Sequence, residues 1–264
     1  MIKLFLNLLF QLLFFFSGKK KWKLKIFIQN ILDKKYFRFT HKNKDIYFKI
    51  DSLHCLKRYS TILTKEKNTI SWINNMRINE VMWDIGANIG IYSVYAAKLK
   101  KINVISFEPV TNSYNTLLKN IKINKLQNKI IALPMALSDK SCIAYMNFKS
   151  DHSGSAGHIY SEKLKNNNKF ETTISLRSDF LIKNLNLPIP NYIKIDTDGN
   201  EIDILESMSH ILKFKKVKSI CIENQFDKYT NLREKKILNF VKKFKFQYGS
   251  KEILTAGYNM FFYK

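Results

Sequence analysis

The segment Val81-Met82-Trp83-Asp84-Ile85-Gly86-Ala87-Asn88-Ile89-Gly90 constrains this chain more than any other. It reads as a short apolar strand, an acid at the strand's end, a glycine-rich turn and a helix start, which Ile91, Val94 and Tyr95 continue at helical spacing. A strand that passes through a tight turn into a helix brings free backbone N–H groups and small residues up to a ligand. The glycines do not match the Gly-x-Gly-x-x-Gly of dinucleotide sites. Asn88 stands where the second glycine is wanted, and the Asp84 carboxylate would lie near a pyrophosphate. An acid in that place suits a ligand with a cationic end. Such a turn can also be purely structural, so the residues beyond it decide between the two readings.

Downstream, Asn103–Phe107 reads as a second strand that ends at Glu108-Pro109, where proline stops the extended run. An acid about 20 residues past the turn is where a ribose diol is gripped in doubly wound folds. S-adenosylmethionine, which joins a ribose to an ammonium and a sulfonium, answers both signals. Beyond it, strands and helices alternate. Thr111 is placed to cap a helix with Tyr114, Leu117, Leu118 and Ile121 on its apolar face. Residues 130–136 read as the third strand, and residues 141–148 and 170–176 as added strands around a polar stretch. Tyr192–Ile195 is the fourth strand, introduced by Pro188 and Pro190, and residues 217–222 are the fifth. Ile202, Leu205 and Met208 form one helix face; Ile237, Phe240, Val241 and Phe244 form another. Residues 246–254 and 259–263 close the chain as a strand pair. Upstream, residues 22–50 mix lysines with aromatics, residues 45–50 suggest a strand, and residues 53–78 look largely helical with Trp72 and Ile73 on the apolar face. The pattern predicts an α/β fold: a doubly wound, mostly parallel sheet with a C-terminal antiparallel hairpin strand.

The length of 264 residues fits one catalytic domain with a short extension, and 45% hydrophobic residues can build its core. The formal net charge of +24 invites a nucleic-acid or anionic-membrane partner. The lysines are spread along the chain, however, and Lys, Asn and Ile are abundant together, as AT-rich codons produce, so a solvated basic surface is favoured. Cys55, Cys142 and Cys221 are too far apart for a metal motif and suit a reducing cytoplasm, with Cys221 reading as core. Residues 1–16 are strongly apolar and lead into Gly18-Lys19-Lys20-Lys21. The run is shorter than the roughly 20 residues a membrane span needs. Lys3, Asn7 and Gln11 would give a helix a polar stripe, and there is no small-x-small cleavage pattern. The expected division is an interfacial or packed helix over 1–21, an extension over 22–78 and one catalytic domain over 79–264, in a cytoplasmic protein with peripheral contact to the inner membrane surface left open.

Three segments, residues 83–90, 106–109 and 193–201, together resemble the FkbM-type methyltransferase family by their order and spacing. Leu117-Leu118-Lys119-Asn120-Ile121 and Ala136-Leu137-Ser138-Asp139 also fit, and the similarity covers about residues 80–245. The resemblance implies a class I methyltransferase (Rossmann-like) fold that uses S-adenosylmethionine, mostly for O-methylation of sugars or natural products. Carried across, Asp84, Gly86, Ala87, Asn88 and Gly90 surround the methionine part, Glu108 binds the ribose hydroxyls, and Ala136 and Leu137 flank the adenine. Many members have Glu where this chain has Asp198. The family does not settle the catalytic base.

Methyl transfer to a hydroxyl needs a proton acceptor beside the oxygen. Asp196 is the first candidate, because the carboxyl end of the fourth strand faces the ligand crevice. Asp198 and Glu201 come next, and Glu201 reads equally well as a helix N-terminal acid. The small, polar stretch over residues 151–158 suits an acceptor-side lid with His158 or His152 as base, or a loop with incidental histidines. Mg²⁺ on Asp196 and Glu223-Asn224 is not favoured, since the expected pair there is Asp-Asn, and no metal site is assigned. The expected function is O-methyl transfer from S-adenosylmethionine to a hydroxyl of a glycan or related biosynthetic product, lipid-linked or free. The rivals are a nucleic-acid methyltransferase, for which the usual Pro-Pro-aromatic or Pro-Cys signature is missing, and a non-catalytic membrane-associated protein that keeps the fold. A nicotinamide oxidoreductase is disfavoured by Asp84 and Asn88.

Overall fold

The computed structural model describes residues 36–148, 150–164 and 169–264. The expected helix over 1–21, and residues 22–35 of the extension, lie outside the described residues. β1 (Tyr36–His41) turns back through Lys42 and Asn43 into β2 (Lys44–Lys49). Both turn residues have positive φ, 49° and 58°, the two-residue geometry that matches hairpin twist. The sequence signalled β2 alone; β1 alternates exposed and half-buried residues, too weak a contrast to stand out among lysines and aromatics. The expected helical stretch over 53–78 is two helices, α1 (Leu53–Ser60) and α2 (Lys67–Asn74). Ser52 caps α1 by accepting from the Cys55 N–H at 3.1 Å.

The central unit then alternates β3 (Val81–Ile85), α3 (Ile91–Lys100), β4 (Asn103–Phe107), α4 (Thr111–Ile123) and β5 (Ile130–Leu133). Thr111 does not cap α4: it is the first helical residue, and its N–H donates to the Glu171 carboxylate at 2.8 Å, so the cap comes from a distant strand. Leu117 and Ile121 are buried on α4, whereas Leu118 is 41% exposed. The third strand stops at Leu133, ahead of Pro134, rather than running to Ala136. Ala136 and Leu137 form β6 (Ala136–Leu137) in a second sheet, with β7 (Cys142–Asn147), β8 (Ile159–Ser161) and β9 (Phe170–Leu176), ordered β6-β9-β7-β8. The chain returns through α5 (Ser178–Leu185), β10 (Tyr192–Ile195), α6 (Glu201–Ser207), β11 (Ser219–Gln225), α7 (Thr230–Lys242), β12 (Gln247–Ile253) and β13 (Gly257–Tyr263).

The main sheet is ordered β12-β13-β11-β10-β3-β4-β5. The five strands from β11 to β5 pair in parallel, and β13 is antiparallel to β11 and to β12. This is the class I methyltransferase arrangement of a doubly wound sheet. Helices cover both faces, so the central strands are apolar on both sides. On one face Met82, Val104, Tyr192 and Cys221 pack with α3, α4, the α1–α2 pair and the hairpin; on the other Trp83, Ile85, Ile105 and Ile193 pack with α5, α6 and α7. No helix among the described residues is long and apolar enough to cross a membrane. Winding reverses between β3 and β10, and at such a switch point a crevice opens at the carboxyl ends of the strands.

Candidate active site

Gly86 lies at that reversal. A Cβ on it would stand 1.9 Å from the carbonyl oxygen of Asp196, and its φ is +77°, so only glycine lets β3 and β10 deliver their ends side by side. Gly90 serves packing instead: its Cβ would strike Leu117 Cδ1 of α4 at 2.2 Å. The turn's N–H groups are not free, contrary to the expectation from the sequence. Those of Gly86 and Ala87 both donate to the Phe107 carbonyl at 3.0 Å, and that of Gly90 to Ala87 at 2.8 Å. The Asn88 N–H donates to Glu108 Oε2 at 2.7 Å, and the Ile89 N–H to Asn88 Oδ1 at 2.9 Å. A turn that has spent its donors internally is no cradle for phosphates.

Asp84 sits beneath the turn, not in the crevice. It is 1% exposed; Oδ2 accepts from Ser93 Oγ at 2.5 Å, and Oδ1 has no hydrogen-bond partner. Burial raises its pKa, and the positive charge of Lys194 works against that rise. Lys194 lies opposite Asp84 in the β3–β10 register and is 2% exposed. Burial opposes its charge, but the carboxylates of Asp196, Asp84 and Glu66 outweigh burial and hold it above the ordinary lysine range. Its Nζ donates to Asp196 Oδ2 at 2.6 Å and lies 4.9 Å from the centre of the Tyr92 ring. Asp196 lines the crevice with about 30% of its side chain exposed. Burial would lift its pKa, yet Lys194 and a hydrogen bond from Glu223 hold it well below the carboxylate range. Glu223 takes the opposite course: the Asp196 charge, with burial, pushes it up to about 10, so it keeps its proton and donates to Asp196. Of the pair weighed for Mg²⁺, Asn224 has its Oδ1 bonded to Arg233 at 2.8 Å and its Nδ2 to Tyr258 at 2.7 Å.

Glu108 is buried at the tip of β4, with Oε1 accepting from the Val110 N–H at 2.8 Å and Oε2 from Asn88. Burial raises its pKa to about 7 against the lowering effect of those two bonds. Beside it Phe107, Pro109, Met135, Ala136, Leu137 and Met146 line an apolar slot. Ala136 and Leu137 are therefore brought to the crevice together with Gly86, Ala87, Asn88, Glu108 and Asp196.

Residues 150–158 cross the crevice as a fastened strap. Ser52 Oγ donates to the Ser153 carbonyl at 2.5 Å, Arg58 Nε to that of Gly154 at 2.6 Å, and Asn88 Nδ2 to that of Ser155 at 2.8 Å. Asp198 closes the other end. Its Oδ2 accepts from the N–H groups of Gly157 and His158 at 2.8 and 3.1 Å, and its Oδ1 from the Gln225 amide. His158 is 6% exposed, and its Nε2 pairs with Ser155 Oγ at 3.0 Å. Burial lowers its pKa, which favours the neutral ring, against the opposing charge of Asp198. Both residues touch the crevice, but their polar atoms are engaged in holding the strap. His152 faces away and stacks on His54. Glu201 turns back on its own loop, accepting from Gly199 N–H at 2.8 Å.

The family model of the methyltransferase FkbM domain matches residues 84–248. The chain belongs to the FkbM methyltransferase family. Among relatives, it is similar to hexuronic acid methyltransferase AglP of Haloferax volcanii, 27% identical over 135 residues, 51% of this chain and 52% of that one. It is also similar to methyltransferase sdnD of Sordaria araneosa, 22% identical over 192 residues, 61% of this chain and 72% of that one. The chain thus spans about half the length of the first relative. Among solved structures, it is similar to precorrin-6y C5,15-methyltransferase from Geobacter metallireducens, with 13% identity, a TM-score of 0.46, and coverage of 75% of this chain and 87% of that one. The segments that carry the FkbM resemblance in the sequence are the ones that build the crevice. Lys194 and Arg58 were missed as parts of it, and Glu223 was weighed only as a metal ligand. A lysine between Ile193 and Ile195 in a central strand was the available signal; Arg58 offered none.

Proposed function

We propose that this chain is an S-adenosylmethionine-dependent O-methyltransferase acting on a hydroxyl of a glycan or related biosynthetic product. The observation that carries the donor reading is the Glu108 carboxylate. Two backbone N–H groups fix it at a strand tip, and its remaining lone pairs are free for a diol beside an apolar slot that suits a purine. The residues fit the donor: Glu108 would hold the ribose hydroxyls, Ala136 and Leu137 the base, and Gly86, Ala87 and Asn88 the surface beneath. Asp84 and Gly90 would shape that surface from below. The sugar acceptor is supported by the family and by the name of the archaeal relative, a hexuronic acid methyltransferase.

When bound, S-adenosylmethionine supplies an electrophilic methyl carbon on a sulfonium. The chain's own contribution is alignment, which is worth about 7–11 kcal/mol for well-placed reactants. Asp196 accepts the hydroxyl proton. Its low basicity is no obstacle, because an oxygen gaining a methyl group becomes a far stronger acid than any carboxylic acid. Lys194 keeps Asp196 ionised between turnovers, and the proton on Glu223 orients it. The strap excludes water, with His158 and Asp198 positioning it. The domain over 79–264 would carry this chemistry with α1 and α2 packed against it. The test is calorimetry with S-adenosylmethionine, then transfer of its labelled methyl group to hexuronate-containing and neutral glycans. Binding with transfer to a glycan is expected; no heat of binding would remove the donor reading.

A further inference from the structure

The lysines that are spread along the sequence are gathered by the fold. The register sets the first residues of β3, β4, β5, β10, β11 and β12 beside one another, at the end of the sheet opposite the crevice. The segments that lead into those strands are residues 75–80, 101–102, 124–129, 186–191, 214–218 and 243–246. They hold nine lysines and arginines and one acid, Glu80, which Lys218 takes as an ion pair. The segments that leave the same strands at the crevice end, residues 86–90, 108–110, 134–135, 196–200, 226–229 and 254–256, hold four acids and one lysine. A lysine-rich composition acts on both ends alike, so it does not produce this segregation. Helix dipoles do not account for it either. α2, α3, α4, α5 and α7 end here, and at about half a negative charge each they call for two or three cations.

Two tetrapeptides concentrate the charge, Lys213-Phe214-Lys215-Lys216 before β11 and Lys242-Lys243-Phe244-Lys245 before β12. Only β13 separates those strands, so the tetrapeptides enter about 10 Å apart, two strand spacings. Their six lysines are exposed, and none forms an ion pair among the described residues. Apolar side chains stand among them. Phe214 is 37% exposed and Tyr263 45%, and Ile78 and Leu185 are exposed at the same end. Lys242 and Lys245 also rim a groove floored by Val241, Phe246 and Phe262. A polynucleotide would answer the cations and leave the apolar groups unanswered. Bound here, it would also lie at least a strand's length, about 17 Å, from the crevice. A lipid surface offers phosphates and hydrocarbon together.

We propose that this end of the sheet docks on an anionic lipid bilayer, with the lysines on headgroup phosphates and Phe214 at the interface. The crevice then opens away from the lipid. Docking does not use the crevice, so lipid binding and donor binding are read separately.

The test is sedimentation of the full chain with phosphatidylcholine vesicles, with and without phosphatidylglycerol, at low and high salt. The wild-type chain is expected to sediment with the anionic vesicles and to be released by salt. The fourfold variant Lys215→Gln, Lys216→Gln, Lys243→Gln, Lys245→Gln should bind them at least about tenfold more weakly, since each lysine near such a surface is worth about a fivefold factor. Either pair changed alone should cost at least about fivefold. A control, Lys57→Gln, Lys67→Gln, Lys163→Gln, Lys228→Gln, removes the same charge from exposed positions elsewhere and should keep binding within about twofold. Melting curves by circular dichroism identify any variant that fails to fold. Equal sedimentation with neutral and anionic vesicles, no loss in the fourfold variant, or an equal loss in the control overturns the inference. So does salt-sensitive retardation of a duplex oligonucleotide without vesicle binding, which assigns the face to nucleic acid. Failure to bind S-adenosylmethionine overturns the donor reading alone.

Discussion

A carboxyl that burial raises to about 7, as at Glu108, makes fold stability and ligand affinity pull in opposite directions. The folded chain holds that proton more tightly than the unfolded chain, whose glutamate titrates near 4.5. Its contribution to stability is therefore fully present below pH 4.5 and is lost as pH rises through about 7. Glu108→Gln removes the titration. Its amide nitrogen cannot accept from the Val110 or Asn88 N–H, so the variant loses one of those bonds at every pH, at a cost of about 1–3 kcal/mol. From pH 4.5 to pH 8, however, its stability should fall by up to about 3 kcal/mol less than that of the wild type. Its affinity for the donor should fall, because the amide cannot accept from both ribose hydroxyls. Calorimetric melting at pH 4.5 and pH 8, with and without ligand, checks this; the same pH dependence in variant and wild type would contradict it. Asp196 calls for a different readout. Asp196→Asn should lower kcat by about 10²–10⁴ while donor affinity changes far less, since the variant loses its proton acceptor. A kcat within a fewfold of wild type would assign the proton to another group. Charged side chains of this kind were partly legible in the sequence. Asp84, Glu108 and Asp196 each end an apolar run, and strand ends converge in a parallel sheet. What the sequence could not reveal was direction. Asp84 points beneath the turn to Ser93, whereas Asp196 points into the crevice, and that difference depends on packing by α3.

At the scale of elements, the legible parts were those with local signals. β3, β4 and β10 fall where their apolar runs lie, and Pro134 ends β5 early because it cannot extend the ladder. The strap was hardest to read, because the bonds that tie it to the rest of the molecule come from residues distant in sequence. Arg58, Asn88, Asn112 and Asp198 come from four other places to hold residues 150–158. Small polar residues in a row look mobile until those partners are known. The Asp198 latch yields a direct prediction. Asp198→Ala leaves the Gly157 and His158 N–H groups without their carboxylate acceptor. Their hydrogen exchange should speed up by about 10–100-fold, matching the loss of hydrogen bonds to a charged group. Amides within β3 and β10 should exchange as before. Unchanged protection at Gly157 and His158 would mean that Arg58 and Asn88 hold the strap alone.

The whole molecule depends on its extension more than the chain's motif map suggests. The family-matched segment begins at residue 84, and the sequence places the catalytic unit over 79–264. The sheet face that carries Met82, Val104 and Cys221 is nonetheless covered by side chains from before that point. Ile46, Phe48, Tyr59, Trp72 and Ile73 are all 4% exposed or less within one core cluster with it. Fully burying a large apolar side chain is worth about 1.5–3 kcal/mol, so these five together are comparable with the about 5–15 kcal/mol that holds a whole domain folded. Polar groups cross the same seam. Trp72 Nε1 donates to Ser219 Oγ at 2.8 Å, and Asn120 Oδ1 accepts from the Lys49 N–H at 2.7 Å. Glu252 of β12 accepts from the Asn68 N–H at 2.6 Å and the Thr69 N–H at 3.1 Å, capping α2 from the far edge of the sheet. A fragment over 79–264 would expose that apolar face and leave these groups without their partners. It should lack a cooperative thermal transition by circular dichroism and elute as aggregate in size exclusion, whereas a fragment over 36–264 should melt cooperatively as a monodisperse species. The extension belongs to the fold because the sheet must be covered on both faces. If the shorter fragment melts cooperatively, the helix pair is a removable layer, and the crevice wall supplied by Arg58, Ile62 and Glu66 is not needed for the sheet to fold.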